Sequence, residues 1–326
     1  MTDVDREGSA VGRRVVVAGI LGWVADKATG GAVEGAAWDL LKASGNYVTQ
    51  ALPRRLPFSP ALKASRRLRV LRERVLPTSG TRYLAPGDVM RRISGETTQP
   101  DRSHDRLALA PLAALHDVNH LEIDIIQMIM RSADSIVCSG SPVANDVTAE
   151  YLPVIDMGQD PSPPRKLKIN RDAVPYHFVT GVEGSAKVFS GAWGKVMAKR
   201  SNAVFDVEAN AIRHPQPHTT RDGFLAADLL IVQRMPRNLE GGELLAVAGL
   251  HGPGTQAFEL LFDPAAFPES EISFLEQRIG NEPYFQVILE VSDVSHAAPM
   301  SVAKSLRVSR LMPPKPIRFT PDLFTG

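Results

Sequence analysis

Cysteine is nearly absent from this chain: its 326 residues include only Cys138. One cysteine excludes an intramolecular disulfide framework and a zinc site built from several thiolates. This usage is typical of a reducing compartment and favours a cytoplasmic location. We expect Cys138 itself, inside an apolar segment, to be an inert core residue rather than a nucleophile.

An excess of one charge and a long apolar run are also missing. The 37 Lys and Arg residues nearly balance the 36 Asp and Glu residues, so no overall field directs the chain to nucleic acid or acidic lipid. The early apolar run at 15–25 is shorter than the ~20 residues that a membrane-spanning helix needs. It follows an acidic segment and offers no clear cleavage site, unlike a signal peptide. We expect no transmembrane segment.

Composition and periodicity divide the chain into three predicted regions. With 44% hydrophobic residues, the chain can build a substantial core. Residues 1–50 form a helical N-terminal region for assembly or output. Its small residues suit a docking helix pair, or alternatively homo-oligomer formation or contact with a membrane surface. Residues 51–105 form an irregular connection rich in proline and arginine, including a basic helix at 65–75 with a solvated face. Residues 106–326 form the ligand-binding domain.

Short apolar segments that end in turns and lead into helical patterns dominate residues 106–326. This order, with strands that are apolar throughout, is typical of a parallel or mixed sheet covered by helices. We therefore predict a Rossmann-like α/β fold with flanking helices, preceded by the smaller helical N-terminal region. The expected strands are 134–140, 174–181, 188–194, 202–210, 226–236, 244–249 and 284–293.

The first of two glycine-containing turns is GSPVAN, residues 140–145. Gly140 ends an apolar strand, Ser141 offers a hydroxyl, and Asn145 can cap the helix that follows. If this strand neighbours the one before the second turn, both turns open on the same edge of the sheet. One ligand could then touch both turns.

The second turn is GLHGPGT, residues 249–255, between a buried strand and a helix. Its glycines, Gly249, Gly252 and Gly254, let the backbone approach a ligand closely. Unpaired amides at a helix start favour an anion, and Thr255 can cap the helix or donate to a phosphate oxygen. His251 lies inside the turn and could reach a bound group. The alternative is a tight turn whose glycines serve packing alone.

Two common nucleotide motifs do not describe these turns. No Lys-Ser or Lys-Thr pair follows the glycines, which disfavours the phosphate loop of ATPases. The spacing is not G-x-G-x-x-G with a later acidic residue, which disfavours ordinary dinucleotide binding. A nucleotide or a similar small anion bound in another manner is the ligand class that remains.

The two turns and the strand between them resemble an uncharacterised prokaryotic Rossmann-like domain, broadly similar to SLOG and TIR-like folds and often joined to regulatory or defence modules. The resemblance covers about residues 134–262, and the family's GGP turn reads GSP here, which could alter how close a ligand sits. It implies nucleotide sensing or processing and supplies no catalytic residues. The residues that carry it are Gly140, Pro142, Asn145, Asp228, Arg234, Pro236, Asn238, Gly249, His251, Gly252, Gly254 and Thr255.

A metal site has one weak candidate in the sequence. His116, His120 and Asp124 recur every four residues, a spacing that can hold a metal on one helix face. The glutamate expected after the first histidine is replaced by Asp117, and no third-ligand motif follows. We therefore favour a polar helix face and expect no metal.

Catalytic groups are equally unmarked. Cleavage of an N-glycosidic bond needs a carboxylate near the sugar, but Glu150, Glu183 and Glu208 read as surface charges. Ser139 and Ser141 lack the G-x-S-x-G context of a serine hydrolase. A further pair, His214 and His218, lies in a predicted loop that could gate a site.

The sequence leaves three functions open and does not decide whether the chain is an enzyme. The leading hypothesis is a cytoplasmic sensor, possible in a defence context, that binds a nucleotide or another anion at the two turns. The second is a hydrolase of a nucleotide or its N-glycosidic bond at the same site. The third is a non-catalytic interaction protein that assembles through its N-terminal helices. The predicted ligand-binding residues are Gly140, Ser141, Asn145, Gly249, His251, Gly252, Gly254 and Thr255.

Overall fold

The computed structural model describes residues 66–77, 82–84, 104–105, 107–109, 111, 135–158, 167–190, 194–198, 201–213, 219–239, 241–297 and 300–324. The chain divides into two compact units, Met1–Leu68 and Arg69–Gly326. All the elements below belong to the second unit. The predicted helical region 1–50 lies outside the described residues.

A seven-stranded sheet forms the centre of this unit. Its strands follow the order β1, β2, β10, β9, β11 and β14, and β15 pairs with β11 beside β14. Their bounds are β1 Arg82–Leu84, β2 Ile136–Ser139, β9 Asp228–Pro236, β10 Glu243–Gly249, β11 Phe285–Ser292, β14 Ser305–Val308 and β15 Lys315–Pro316. The numbering follows chain order, so the strands in between belong to smaller sheets.

The strand directions make this a mixed sheet. β1, β2 and β10 are parallel, whereas β9 is antiparallel to both of its neighbours, β10 and β11. β9 and β10 join through residues 237–242, where the backbone N–H of Arg237 donates to the Gly242 carbonyl at 3.1 Å. A connection this short cannot carry the crossover helix of a β-α-β unit.

In the part of the chain that the structure describes, three smaller sheets accompany the central one, and they contain four, two and two strands. The four-stranded sheet has the order β3, β4, β7 and β8. β3 and β4 are parallel, whereas β7 is antiparallel to both β4 and β8. β5 pairs with β6, and β12 pairs with β13. The bounds are β3 Val154–Asp156, β4 Tyr176–Val182, β5 Ala186–Ser190, β6 Gly194–Ala198, β7 Ser201–Asp206, β8 Ala211–Arg213, β12 Ser295–Ala297 and β13 Met300–Val302.

Helices are few and short among the described residues. The α-helices with defined bounds are α1 Asp146–Tyr151, α2 Gly252–Gln256 and α3 Glu269–Ile279. A 3-10 segment, Ala257–Phe262, continues α2, and shorter ones occupy Arg171–Ala173 and Pro321–Phe324. A π-helical turn, Leu71–Val75, buries Leu71 and Val75, so this part of the predicted irregular connection contributes to the core.

The prediction of a helix-flanked Rossmann-like α/β fold is wrong, because the described residues of the second unit form mainly strands, in mixed and antiparallel sheets, with few helices. The alternating residues of β9 show why. Leu230 and Val232 pack with the α3 side chain Ile272, whereas Leu229 and Ile231 pack with the four-stranded sheet. Strands that are apolar throughout indicate burial on both faces, but they do not say whether helices or strands cover each face.

Buried glutamines join the two largest sheets. Gln286 donates through Nε2 to Gln233 Oε1 at 2.6 Å and to the Tyr176 carbonyl at 3.0 Å, and it accepts from the Tyr176 amide at 2.7 Å. Gln233 donates in turn to the Tyr151 carbonyl at 2.8 Å. Because buried amides are costly unless paired, these bonds hold β4 in one position against β9 and β11.

Candidate functional site

The two glycine-containing turns lie side by side. β2 and β10 are parallel neighbours, with Ile136 opposite Leu244 and Ser139 opposite Val247. Beyond the ladder, the Gly140 amide donates to the Val247 carbonyl at 2.9 Å. A site shared by both turns requires that β2 and β10 be neighbours, and they are. Both turns therefore lie at the same edge of the sheet.

Asn145 serves the structure of the first turn. Its Oδ1 accepts from the amides of Val147 at 2.9 Å and Thr148 at 3.4 Å, which caps α1 as predicted. Its Nδ2 donates to the Ser139 carbonyl at 2.8 Å. Gly140 has a φ of 107°, which favours glycine. Ser141 is half-buried, and it is the predicted ligand-binding residue of this turn that solvent reaches best.

Asp228, the first residue of β9, occupies the second turn. Its carboxylate is fully buried, and Oδ2 accepts from the amides of His251 at 3.1 Å and Gly254 at 2.9 Å. Oδ1 accepts from the Leu229 amide at 2.9 Å and contacts His251 Nδ1 at 3.1 Å. A Cβ on Gly254 would overlap Oδ2. The backbone amides of His251 and Gly254, which we predicted to be available to a bound anion, therefore donate to the carboxylate of Asp228 instead.

Gly249 and Thr255 close the same turn. Thr255 is 2% exposed, and its Oγ1 accepts from the Gly249 amide at 3.0 Å. The Thr255 amide donates to the His251 carbonyl at 3.2 Å. In this arrangement the Thr255 hydroxyl oxygen holds the turn together, and the role predicted for it toward a phosphate stays a prediction.

Ser201, His251 and Asp228 form a hydrogen-bonded chain, which we call the relay. Ser201 Oγ lies 3.5 Å from His251 Nε2, and His251 Nδ1 lies 3.1 Å from Asp228 Oδ1. An ionised carboxylate only accepts hydrogen bonds, so it holds the proton on Nδ1. In a neutral ring with its proton on Nδ1, the Nε2 lone pair faces the Ser201 hydroxyl. This is the tautomer that a general base for a serine nucleophile requires.

Three separate strands bring the relay together. Ser201 begins β7, Asp228 begins β9, and His251 follows the end of β10. Next to Ser201, Asn202 donates through Nδ2 to the Leu250 carbonyl at 2.5 Å and ties β7 to the turn. Ser201 is 3% exposed and the His251 side chain 6%, so the relay is shielded from bulk solvent.

A second serine–histidine pair provides a contrast. Ser301 Oγ lies 3.0 Å from His296 Nδ1, and His296 Nε2 lies 2.8 Å from the Leu225 carbonyl, which fixes the tautomer. Ser301 Oγ also accepts from the Phe189 amide at 2.8 Å. The His296 ring is therefore oriented by a neutral carbonyl, whereas the His251 ring is oriented by the carboxylate of Asp228. The Ser301 hydroxyl also accepts a hydrogen bond that joins β5 to β13.

Several sequence candidates lie apart from this edge. Burial raises the pKa of Cys138 to about 12, so its thiol is inert at neutral pH. Glu150 pairs with Lys168 at 2.8 Å, and Glu208 pairs with Lys315 at 2.8 Å. The remaining carboxylate of that set, Glu183, lies on the surface at the end of β4.

Other candidates fall outside the described residues: His116, His120, Asp124, His214, His218 and the N-terminal segment 13–43. Within the residues that are described, no group of three or more His, Cys, Asp or Glu side chains could hold a metal ion. Those residues also contain no helix with the length and apolarity needed to span a membrane.

Arg234, one of the residues that carry the family resemblance, has a structural role. Its guanidinium binds Glu243 at 2.8 and 3.0 Å and donates to the Arg74 carbonyl at 2.9 Å. It therefore joins β9 and β10 to the segment that contains the π-helical turn. The resemblance to nucleotide-sensing domains remains a prediction.

The sequence reasoning singled out His251 but missed Ser201, and it named Asp228 only through the resemblance. No local signal marks Ser201, because the neighbouring residues Arg200 and Asn202 form no nucleophile motif. Comparisons with protein-family models, with curated proteins and with solved structures found no match for this chain.

Proposed function

We propose that this chain is a serine-dependent hydrolase of an ester or amide bond, with Ser201 as nucleophile, His251 as general base and Asp228 as the group that orients His251. The observation that supports the proposal is the relay, in which each hydrogen bond favours the next. The relay residues occur in the order Ser201, Asp228, His251, and such a constellation is recognised by geometry rather than by sequence position.

The three residues of the relay can carry out both steps of acyl transfer, because each proton taken up by His251 is returned to the leaving group. Ser201 Oγ attacks the acyl carbon while its proton passes to His251 Nε2, and Asp228 stabilises the imidazolium that forms. The tetrahedral adduct collapses, and the leaving alcohol or amine takes that proton. Water then repeats the two transfers on the acyl-serine, releasing the acid and restoring the Ser201 hydroxyl.

Acyl transfer suits this site better than cleavage of an N-glycosidic bond. A glycosidase needs a carboxylate placed beside the sugar to stabilise positive charge. Asp228 is 0% exposed and both its oxygens accept hydrogen bonds from the protein, so it faces His251 rather than a substrate. We therefore assign Asp228 an orienting role.

A small fluorophosphonate tests the proposal, since Ser201 is 3% exposed and a bulky reagent would report access rather than reactivity. Ser201 Oγ forms the bond to phosphorus and fluoride leaves, which adds a phosphonyl group that intact mass and peptide mapping detect. We expect labelling at Ser201 in the wild type. In Ser201→Ala we expect no adduct at residue 201, and overall labelling of the protein about 1,000-fold or more slower.

The matched control is Ser309→Ala. Ser309 is also fully buried, but its hydroxyl accepts from the Met312 amide at 3.1 Å. This variant should label at the wild-type rate. Labelling at another residue, or equal rates in Ser201→Ala and the wild type, would refute the proposal.

Anion or nucleotide binding is a second candidate, favoured by the position of both turns on one edge. The amides of His251 and Gly254 already donate to Asp228, so an anion would bind more readily at the first turn. In that turn, Ser141 is the predicted ligand-binding residue that solvent reaches best. Titration calorimetry with ATP, NAD and inorganic phosphate should then give a dissociation constant that Ser141→Ala raises about tenfold. Ser305→Ala, on β14, is the control, and a folded protein that gives no binding heat contradicts this candidate.

A further inference from the structure

His104 packs directly on the turn that carries His251. A Cβ built at Gly252 would lie 2.6 Å from His104 Nδ1 and 2.9 Å from His104 Cγ, closer than packed atoms approach. The imidazole therefore occupies the space of the missing side chain, and glycine is the residue that permits it. Gly252 directly follows His251, so any shift of Gly252 moves the backbone that sets the His251 ring.

A hydrogen bond holds the other side of the His104 ring. Nε2 donates to the Ser301 carbonyl on β13 at 2.6 Å, and His104 is 3% exposed. Burial is the largest influence on its pKa and lowers it from 6.5, whereas the Ser301 bond and the charge of Asp228 raise it. The neutral ring thus forms a fixed brace between β13 and the turn.

We propose, on the basis of the proposed function, that His104 is a positioning residue: its ring holds Gly252 in place and thereby keeps His251 between Asp228 and Ser201. Ser201 Oγ and His251 Nε2 are 3.5 Å apart, near the limit of a hydrogen bond. A small displacement of the turn would separate them, and misplacement by about 1 Å can cost ~100-fold in rate.

The test exploits the tight contact between His104 and Gly252. Gly252→Ala adds the methyl group that meets the ring, and His104→Ala removes the ring. Gly252→Ala should lower the fluorophosphonate labelling rate about 100-fold. It should also move the NMR signals of the His251 ring away from their wild-type positions. Combining His104→Ala with Gly252→Ala should move these signals part of the way back and recover at least about tenfold of the lost rate, because the methyl group then meets no ring.

His104→Gln serves as the conservative variant, since its amide can still donate to the Ser301 carbonyl. It should stay closer to the wild type than His104→Ala does in the NMR signals of the His251 ring. The proposal is overturned if Gly252→Ala matches the wild type in both these signals and the labelling rate, or if the double variant does no better than Gly252→Ala.

The NMR signals of the His251 ring separate this inference from the proposed function. If the wild type does not label but these signals move in Gly252→Ala and move back in the double variant, acyl chemistry fails and the positioning role stands. If the wild type labels at Ser201 but these signals are the same in all variants, the relay stands and the positioning role fails.

Discussion

Replacing Asp228 by asparagine should both lower the reactivity of Ser201 and destabilise the protein. The side chain keeps its size but loses its charge, so nothing holds the proton on His251 Nδ1 or stabilises the imidazolium. Such a change in a serine–histidine–aspartate constellation lowers the rate about 10,000-fold. We expect a loss of that order in fluorophosphonate labelling.

The stability cost follows from the hydrogen bonds that Asp228 accepts. Each oxygen accepts two: Oδ1 from the Leu229 amide and His251 Nδ1, and Oδ2 from the amides of His251 and Gly254. An asparagine turns one oxygen into an NH₂ group. Facing the amides of His251 and Gly254, this group leaves two donors against a donor, whereas facing Leu229 it leaves one, because the His251 ring can move its proton to Nε2. An unmade hydrogen bond in a buried site costs ~1–3 kcal/mol, so we expect the free energy of unfolding to fall by about 2 kcal/mol.

Urea denaturation measures this loss, with Asp263→Asn as the matched control. Asp263 also accepts a backbone hydrogen bond, from Ala265 at 2.8 Å, but in an exposed position. Its replacement should change stability by less than about 0.5 kcal/mol. Labelling rates must be compared in conditions where both variants are fully folded. An Asp228→Asn variant as stable as the control would show that the carboxylate does not hold the turn.

Alanine at Gly249 should cause the largest stability loss among the turn glycines. A Cβ there would overlap the Thr255 amide nitrogen and lie 2.5 Å from the Gly254 carbonyl carbon and 2.6 Å from the His251 oxygen. All of these are backbone atoms, which cannot move aside as the end of a flexible side chain can. We expect a loss of about 3 kcal/mol or more, measured by urea denaturation.

Gly280→Ala is the control for the general cost of losing a glycine. Gly280 ends α3 with a φ of 59°, and a Cβ there would have open space around it. Its ψ of −125° lies outside the left-handed helical region, so its replacement should cost about 1–3 kcal/mol from backbone strain alone. If Gly249→Ala costs no more than Gly280→Ala, the close approach of the turn to the end of β10 is not what requires glycine.

The sequence located several strands close to their observed bounds. The predicted segments 226–236, 244–249 and 284–293 correspond to β9, β10 and β11, and Asn145 caps α1 as expected. These elements were predictable because strand apolarity and cap chemistry are local signals. Helix α3 was not among the expectations, although its buried residues Ile272, Leu275 and Ile279 recur at intervals of three and four.

Local sequence signals predict only part of the candidate site. Glycines and a histidine after a buried strand marked the second turn, because close backbone approach has a compositional signature. Ser201 and Asp228 had no such mark, since they lie 50 and 23 residues before His251 and meet it only in the folded chain. The same holds for His104, which reaches Gly252 from a distant segment.

The sequence by itself determined where the buried strands end and where the turns tighten, because these depend on side chains within a few residues. The tertiary structure decided three things: that β9 runs antiparallel between β10 and β11, that a second sheet covers one face, and that Asp228 fills the turn predicted to hold a ligand anion. Strand direction and long-range contacts depend on the packing of residues far apart in sequence. The apolar periodicity of a strand does not indicate which distant segment will pack against it.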